Sequence, residues 1–279
     1  MLSYLGLPKN TTDQLIETCR DAGKIIMDIF HSSNFQQRTK LDSTPVTEAD
    51  ERAEAIISAR LETLGPHIPI IAEESYAAGN IPNITGDIFW LVDSIDGTKE
   101  FIGKGKDFTV NVALIVNSQP YLGVVHCPAL NITYVGDEKK TAYALDVNNQ
   151  RSELNVRAAT KTWRVIESKS HRTPETRAYL EHIPTGEFMF RGSSLKFCIL
   201  AAGEADIYPR LGPTMEWDTA AGHAVLNAAG GYVTFMDGRP FTYAKDGFKN
   251  PFFIAVGGIL HAKVPFYKTY LDTDIKSRA

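Results

Sequence analysis

Trp90-Leu91-Val92-Asp93-Ser94-Ile95-Asp96-Gly97-Thr98 is the stretch from which the rest of this chain can be read. With Ile88 and Phe89 before it, the apolar run reads as a buried strand, and it stops abruptly in two acids, a glycine and a threonine. Asp93 and Asp96 are expected to flank a single turn, so both carboxylates can point at one spot, while Gly97 lets the backbone approach an anion closely. Two readings fit an isolated D-x-x-D-G: acids that share a cation, or a turn in which Asp caps backbone N–H groups.

The whole chain narrows the choice. Its 279 residues, 43% hydrophobic and 22% charged, suit one large globular domain or two of ordinary size. A net charge of -4 and a pI near 6.0 argue against a surface that coats nucleic acid or an anionic membrane, so a small-molecule partner is expected. Cys19, Cys127 and Cys198 lie far apart, and two of them sit among apolar helical positions, which favours buried free thiols in a reducing compartment. Met1 to Asn10 has no basic segment followed by a long apolar one, and no run approaches the length of a membrane span. These features predict a cytoplasmic protein without an integral membrane segment, a peripheral association with the inner face of the membrane being left open. Oligomeric state is not legible.

From the N-terminus, Thr11 with Gln14 resembles a capping box, and Leu15, Cys19, Ala22, Ile26 and Ile29 follow at helical spacing. Thr47 with Asp50 repeats the capping pattern ahead of Ala53, Ile57, Leu61 and Leu64. A short buried strand, Ile68 to Ala72, runs straight into Glu73-Glu74-Ser75, which repeats the strand-to-acid pattern of Asp93. Phe108 to Leu145 alternates as an antiparallel meander. After a polar stretch that ends near Arg157, strands and helices alternate, with Trp217-Asp218 expected to open an alanine-rich helix. The predicted division is an N-terminal α+β domain over 1–155 and a C-terminal α/β domain over 156–279.

Glu73, Asp93, Asp96 and Asp218 thus all stand at element ends. Each has a bland explanation alone: Asp218 as an acid favoured by a helix dipole, Glu73 as a solvated turn residue. As a set they are harder to dismiss. All candidate donors are oxygens, which suits Mg²⁺, and no His-x-x-x-His or Cys-x-x-Cys pair offers a zinc alternative.

Glu73-Glu74-Ser75, then Asp93-x-Ile95-Asp96-Gly97-Thr98, then Trp217-Asp218-x-Ala220-Ala221-Gly222 resemble, in order, the three signature motifs of the magnesium-dependent, lithium-sensitive inositol monophosphatase superfamily. The resemblance implies a layered αβαβα sandwich, of α/β class with an α+β N-terminal part, and a phosphomonoesterase. It implies that Glu73, Asp93, the carbonyl of Ile95, Asp96 and Asp218 ligate two or three Mg²⁺ ions. Thr98 with Glu73 would position the attacking water, Asp50 would join the third-metal network, and Gly97 and Thr98 would meet the phosphate.

Three later segments carry the substrate reading. Ser168-Lys169-Ser170-His171, Gly192-Ser193-Ser194-Leu195-Lys196 and Tyr208-Pro209-Arg210 resemble the bacterial 3′(2′),5′-bisphosphate nucleotidase (CysQ) branch. That resemblance assigns His171, Ser193, Lys196 and Arg210 to the nucleotide or its non-reacting phosphate, beside Asp96 and Asp218. Arg210 stands where an inositol phosphatase usually places a glutamate, and a cation there fits an anion. The expected reaction is Mg²⁺-dependent hydrolysis of the 3′-phosphate of adenosine 3′,5′-bisphosphate, a step in sulfur metabolism. The alternative is an inositol or sugar phosphatase of the same superfamily. Other chemistries fail on spacing: Gly97 to Lys104 has one residue too many for a P-loop, and there is no Gly-x-Ser-x-Gly.

Overall fold

The computed structural model describes residues 2–32, 37–39, 45–84, 87–137, 139–170 and 172–266. Helix α1 spans Thr11–His31, and its Leu15, Cys19, Ala22, Ile26 and Ile29 stripe is buried as the spacing predicts. Its N-terminus differs from expectation. Asn10 is the capping position and makes no side-chain cap bond. Thr11 is already helical and fully buried, and its hydroxyl donates back to the Pro8 carbonyl at 2.7 Å. The chain turn set by Pro8 therefore takes over the role assigned to a box.

Strands β1 (Gln37–Thr39) and β2 (Pro45–Thr47) form a small antiparallel pair ahead of α2 (Glu48–Leu64). Here the capping box exists: Asp50 Oδ2 accepts from the Thr47 backbone N–H at 2.8 Å, and Thr47 Oγ1 accepts from the Ala49 N–H at 3.2 Å. Next come β3 (Ile70–Ala72), the short helix α3 (Glu73–Ala77), β4 (Ile88–Asp96), the short helix α4 (Thr98–Ile102), and the meander β5 (Thr109–Val116), β6 (Gln119–Cys127), β7 (Ile132–Gly136), β8 (Ala142–Leu145) and β9 (Arg151–Glu153). Strands β3 to β9 make one seven-stranded sheet in sequence order, antiparallel throughout except for the parallel β3/β4 edge.

The rest of the chain supplies β10 (Trp163–Ser168), α5 (Pro174–Leu180), β11 (Thr185–Arg191), α6 (Leu195–Ala201), β12 (Ile207–Arg210), β13 (Thr214–Met215), α7 (Ala220–Ala228), β14 (Tyr232–Phe235), β15 (Lys249–Asn250) and β16 (Phe253–Val256). Five of these strands form a mixed sheet in the order β11-β10-β12-β16-β14, and β13 pairs with β15.

Period-two alternation sorts side chains between layers. On the larger sheet Trp90, Val92, Val110, Val112 and Leu114 pack with α1 and α2, while Phe89, Leu91, Ala113 and Ile115 face α6 and α7. On the smaller sheet Ile166, Tyr208, Phe253 and Ala255 share that same middle layer, and Val165, Ile207, Ile254 and Val256 pack on the far side with Tyr179 and Leu180 of α5. The result is the expected layered αβαβα sandwich.

The middle layer is tight because small residues meet there. A Cβ added to Gly123 on β6 would lie 2.6 Å from the Ala221 carbonyl oxygen, and one added to Gly136 on β7 would lie 2.5 Å from that of Ala224. Helix α7 rests almost directly on the sheet backbone, so an extra methyl group at either glycine has no flexible side chain to displace. Among the described residues no helix is long and apolar enough to cross a membrane. The three cysteines are buried free thiols.

Candidate active site

Five chain segments meet at one end of the two sheets and line a cleft of about 220 Å³. Glu73 arrives as the first residue of α3, directly after β3. Asp93 and Asp96 arrive on β4, which differs from the expected turn: the strand runs on through Asp96 with a bulge. Asp93 pairs with Asn111 and Asp96 with Thr109, so three steps on β4 oppose two on β5. In a regular strand residues three apart face opposite sides. The extra residue restores both acids to the cleft side and takes Ile95 out of the paired register.

Gly97 follows with φ of +95°, a left-handed conformation that only glycine adopts readily, and turns the chain into α4 with Thr98 as its first residue. Asp218 lies before α7, which begins at Ala220; the helix does not open at Trp217-Asp218. Its Oδ2 accepts the Met215 N–H at 2.9 Å, and the segment is closed by the Thr219 and Ala220 N–H groups on the Glu216 carbonyl.

Glu73, Asp93 and Asp218 each place an oxygen within 4.8 Å of the others, a group able to hold a metal ion. Asp96 stands beside this trio. Its Oδ2 accepts from Ser193 Oγ at 2.9 Å and from the Ser194 N–H at 2.5 Å, which draws it toward the start of α6. Burial raises the pKa of Asp96, and the nearby Glu73 charge adds to it, while Lys196 and the two serine bonds pull the other way. Asp218 is raised well above the carboxylate range, first by burial and then by the charges of Asp96 and Glu73. Acids crowded and desolvated in this way hold their charge only at a cost, and a divalent cation among them reverses that cost. An all-oxygen donor set fits a hard cation such as Mg²⁺.

The opposite wall is cationic. Lys196 and Arg210 line the cleft and are nearly fully buried. Burial lowers the Lys196 pKa to about 8, against the attraction of Asp96. Arg210 Nη2 donates to the Pro213 carbonyl at 2.7 Å, while its buried Nε has no partner among the described residues. Such an arrangement leaves guanidinium donors for an anion.

Of the residues singled out in the sequence, Glu73, Asp93, Ile95, Asp96, Gly97, Thr98, Ser193, Lys196, Arg210 and Asp218 all line this cleft. Asp50 stands behind it and touches it through Thr98: the Thr98 hydroxyl lies 3.4 Å from Asp50 Oδ1 and 3.2 Å from the Ile95 carbonyl. His171 lies outside the described residues.

Other site residues had not been singled out. Thr109 Oγ1 bonds with the Ser193 and Ser194 hydroxyls, and Ser194 Oγ donates to Asn111 Oδ1 at 2.7 Å, which ties Asp96 and α6 to β5. Glu54 of α2 accepts from the Glu74 and Ser75 N–H groups at 2.7 and 2.8 Å, and from Ser75 Oγ at 2.6 Å. Its sequence signal was a charge on the apolar stripe, between Ala53 and Ile57. Across the cleft, the Tyr76 ring lies 5.1 Å from Trp217 and 5.7 Å from Phe248, which joins the helix of Glu73 to the segment of Asp218. The fully buried Glu216 carboxylate secures that segment, accepting the Ala244 and Lys245 N–H groups at 2.9 Å each and pairing with Lys245 Nζ at 2.6 Å.

Known proteins resemble this chain over most of its length. Residues 8–252 match the inositol monophosphatase family. The 3′(2′),5′-bisphosphate nucleotidase CysQ of Escherichia coli K12 is 41% identical over 243 residues, which covers 86% of this chain and 97% of that protein. The CysQ nucleotidase of Buchnera aphidicola subsp. Acyrthosiphon pisum is 41% identical over 234 residues, covering 83% and 87%. Among solved structures, CysQ from Bacteroides thetaiotaomicron, a bacterial member of the inositol monophosphatase family, superposes with a TM-score of 0.75 at 32% identity, over 90% of this chain and 98% of that one.

Proposed function

The chain belongs to the inositol monophosphatase family, and we propose that its cleft hydrolyses the 3′-phosphate of adenosine 3′,5′-bisphosphate to AMP and phosphate. The observation that carries this reading is the pairing, in one cleft, of the Glu73, Asp93 and Asp218 trio with the buried cations Lys196 and Arg210. One wall suits a metal-bound reacting phosphate, and the other suits a second phosphate that a monophosphate substrate lacks. The names of the 41% identical relatives support the same ester.

Glu73, Asp93, the Ile95 carbonyl, Asp96 and Asp218 would hold two or three Mg²⁺ ions. Bound there, the ions would supply the charge that neutralises the phosphate and leaving oxygen and acidifies the attacking water. Thr98 can donate its one hydroxyl proton to Asp50, which leaves its lone pairs, with Glu73, to orient that water. The Gly97 turn brings backbone N–H groups toward the phosphate. Lys196 and Arg210 would bind the non-reacting phosphate, Ser193 bridges that wall to Asp96, and His171 would complete the nucleotide contacts. The cleft stands where residues of 1–155 and 156–279 come together, so the two-domain division is part of this proposal. Buried free thiols support a reducing, cytoplasmic setting.

The test is phosphate release from a panel containing adenosine 3′,5′-bisphosphate, its sulfated relative, AMP and inositol 1-phosphate, with Mg²⁺ and with excess chelator. The bisphosphates should be preferred and chelator should abolish release. Asp93→Asn should abolish turnover and leave the fold intact, since it removes ligand charge at nearly constant volume. Preference for inositol 1-phosphate, or full activity in chelator, would refute the assignment.

A further inference from the structure

We infer that Glu54 is a positioning residue, whose carboxylate sets where Glu73 stands in the acid trio; this rests on the metal-site reading above. Glu54 lies on α2 and is only 4% exposed, so its charge has been taken out of water. A carboxylate is buried this way only when hydrogen bonds replace its hydration. All three described bonds come from the two residues after Glu73: Oε2 accepts from the Glu74 N–H, and Oε1 accepts from both the N–H and the hydroxyl of Ser75. Those N–H groups open α3 and have no partner within the helix. The carboxylate fixes them in plane and in distance, and Glu73 is the next residue back.

The same face of α2 also steadies the other acidic segment. Asp50 lies one helical turn before Glu54, and its backbone carbonyl accepts from Ser94 Oγ at 2.9 Å, next to Asp93. One turn of α2 thus grips the strand end that carries Asp93 and the helix start that carries Glu73. The cluster of ligand-bearing acids contains neither Asp50 nor Glu54. Their separation along the helix is the spacer between the two segments.

The test is Mn²⁺ binding to the chelator-stripped full-length protein, followed by electron paramagnetic resonance, with folding checked by circular dichroism. Glu54→Gln keeps the size but turns an N–H donor toward N–H donors, and Glu54→Asp keeps the charge but withdraws it by one methylene. Both should weaken Mn²⁺ binding at least about tenfold, the range found when partners of metal ligands are removed. Ser75→Ala, which deletes only the hydroxyl donor, should weaken it in the same direction but less than the Glu54 variants do, and serves where a Glu54 variant fails to fold. Wild-type affinity in every folded variant would overturn the inference, as would a loss in Glu54→Gln with full affinity in Glu54→Asp, because the role would then be charge alone. A wild-type protein that binds no Mn²⁺ would overturn the metal reading itself, and this inference with it.

Discussion

Acid should loosen this fold from inside the middle layer, and His223 on α7 gives the size of the effect. The ring is 2% exposed, its Nδ1 lies 2.9 Å from the Tyr243 hydroxyl, and Tyr243 in turn donates to Thr219, the neighbour of Asp218. Burial, helped by the Lys245 charge, lowers its pKa from 6.5 to about 3. The unfolded chain therefore takes up a proton near pH 6.5 that the folded chain refuses until about pH 3. Stability contributed by the neutral ring is fully present above pH 6.5 and is lost as pH falls through that window, at about 1.4 kcal/mol per pH unit. At pH 5 the loss is about 2 kcal/mol, a sizeable part of a typical folding free energy of about 5 to 15 kcal/mol. Urea unfolding of wild type and His223→Gln at pH 8, 7, 6 and 5 isolates this contribution. The subtraction cancels the opposite pull of Asp96 and Asp218, whose raised pKa values favour the folded state as pH falls. The variant should start less stable at pH 8, and its deficit should shrink by about 2 kcal/mol at pH 5. A difference that stays flat with pH would refute the reasoning.

Arg210→Glu should lower kcat/KM for adenosine 3′,5′-bisphosphate by about tenfold to a hundredfold, since a charge-assisted contact contributes about 1.5 to 3 kcal/mol, and should change hydrolysis of inositol 1-phosphate, which has no second phosphate, far less. An equal loss on both esters in steady-state assays would make Arg210 structural. Thr98→Ala should lower kcat by about a hundredfold with KM nearly unchanged, because its hydroxyl acts on the attacking water and not on substrate binding. A rise in KM at constant kcat would contradict that role.

Much of this architecture is written in local pattern. The Leu15 to Ile29 stripe, the Thr47–Asp50 box and the Phe108 to Leu145 alternation depend on neighbours within a few residues, and they survive folding unchanged. Glu73 and Asp93 were legible because each follows an apolar run that ends directly in an acid. What was hidden depends on partners far away in the chain. The bulge at Asp93 to Asp96 exists only relative to β5, and the order β11-β10-β12-β16-β14 interleaves strands that sequence lists otherwise. Glu54 looks like an ordinary helix charge until α3 is laid against it, 20 residues on. Asp218 looked like a helix-opening acid because the Ala220-Ala221-Gly222 run is helical and nothing local shows that Glu216 closes a turn first.

The bulge has a further consequence for how such a site can change over generations. An Asp-x-Asp pair on a regular strand would also put two carboxylates on one face, but the residue between them would stay in register with the neighbouring strand. The extra residue takes Ile95 out of that register beside the cleft, and under the proposed reading its carbonyl would add a coordinating oxygen to a crowded acidic site with no further negative charge. That oxygen belongs to the backbone, so replacing the Ile95 side chain leaves the donor atom in place. Ile95 itself is buried in the core beneath the site, so under the proposed reading only an apolar replacement of similar size is tolerated and keeps the donor, while losing or gaining a single codon between Asp93 and Asp96 removes it. Such a ligand would be inherited as a count of residues, not as the identity of any one side chain.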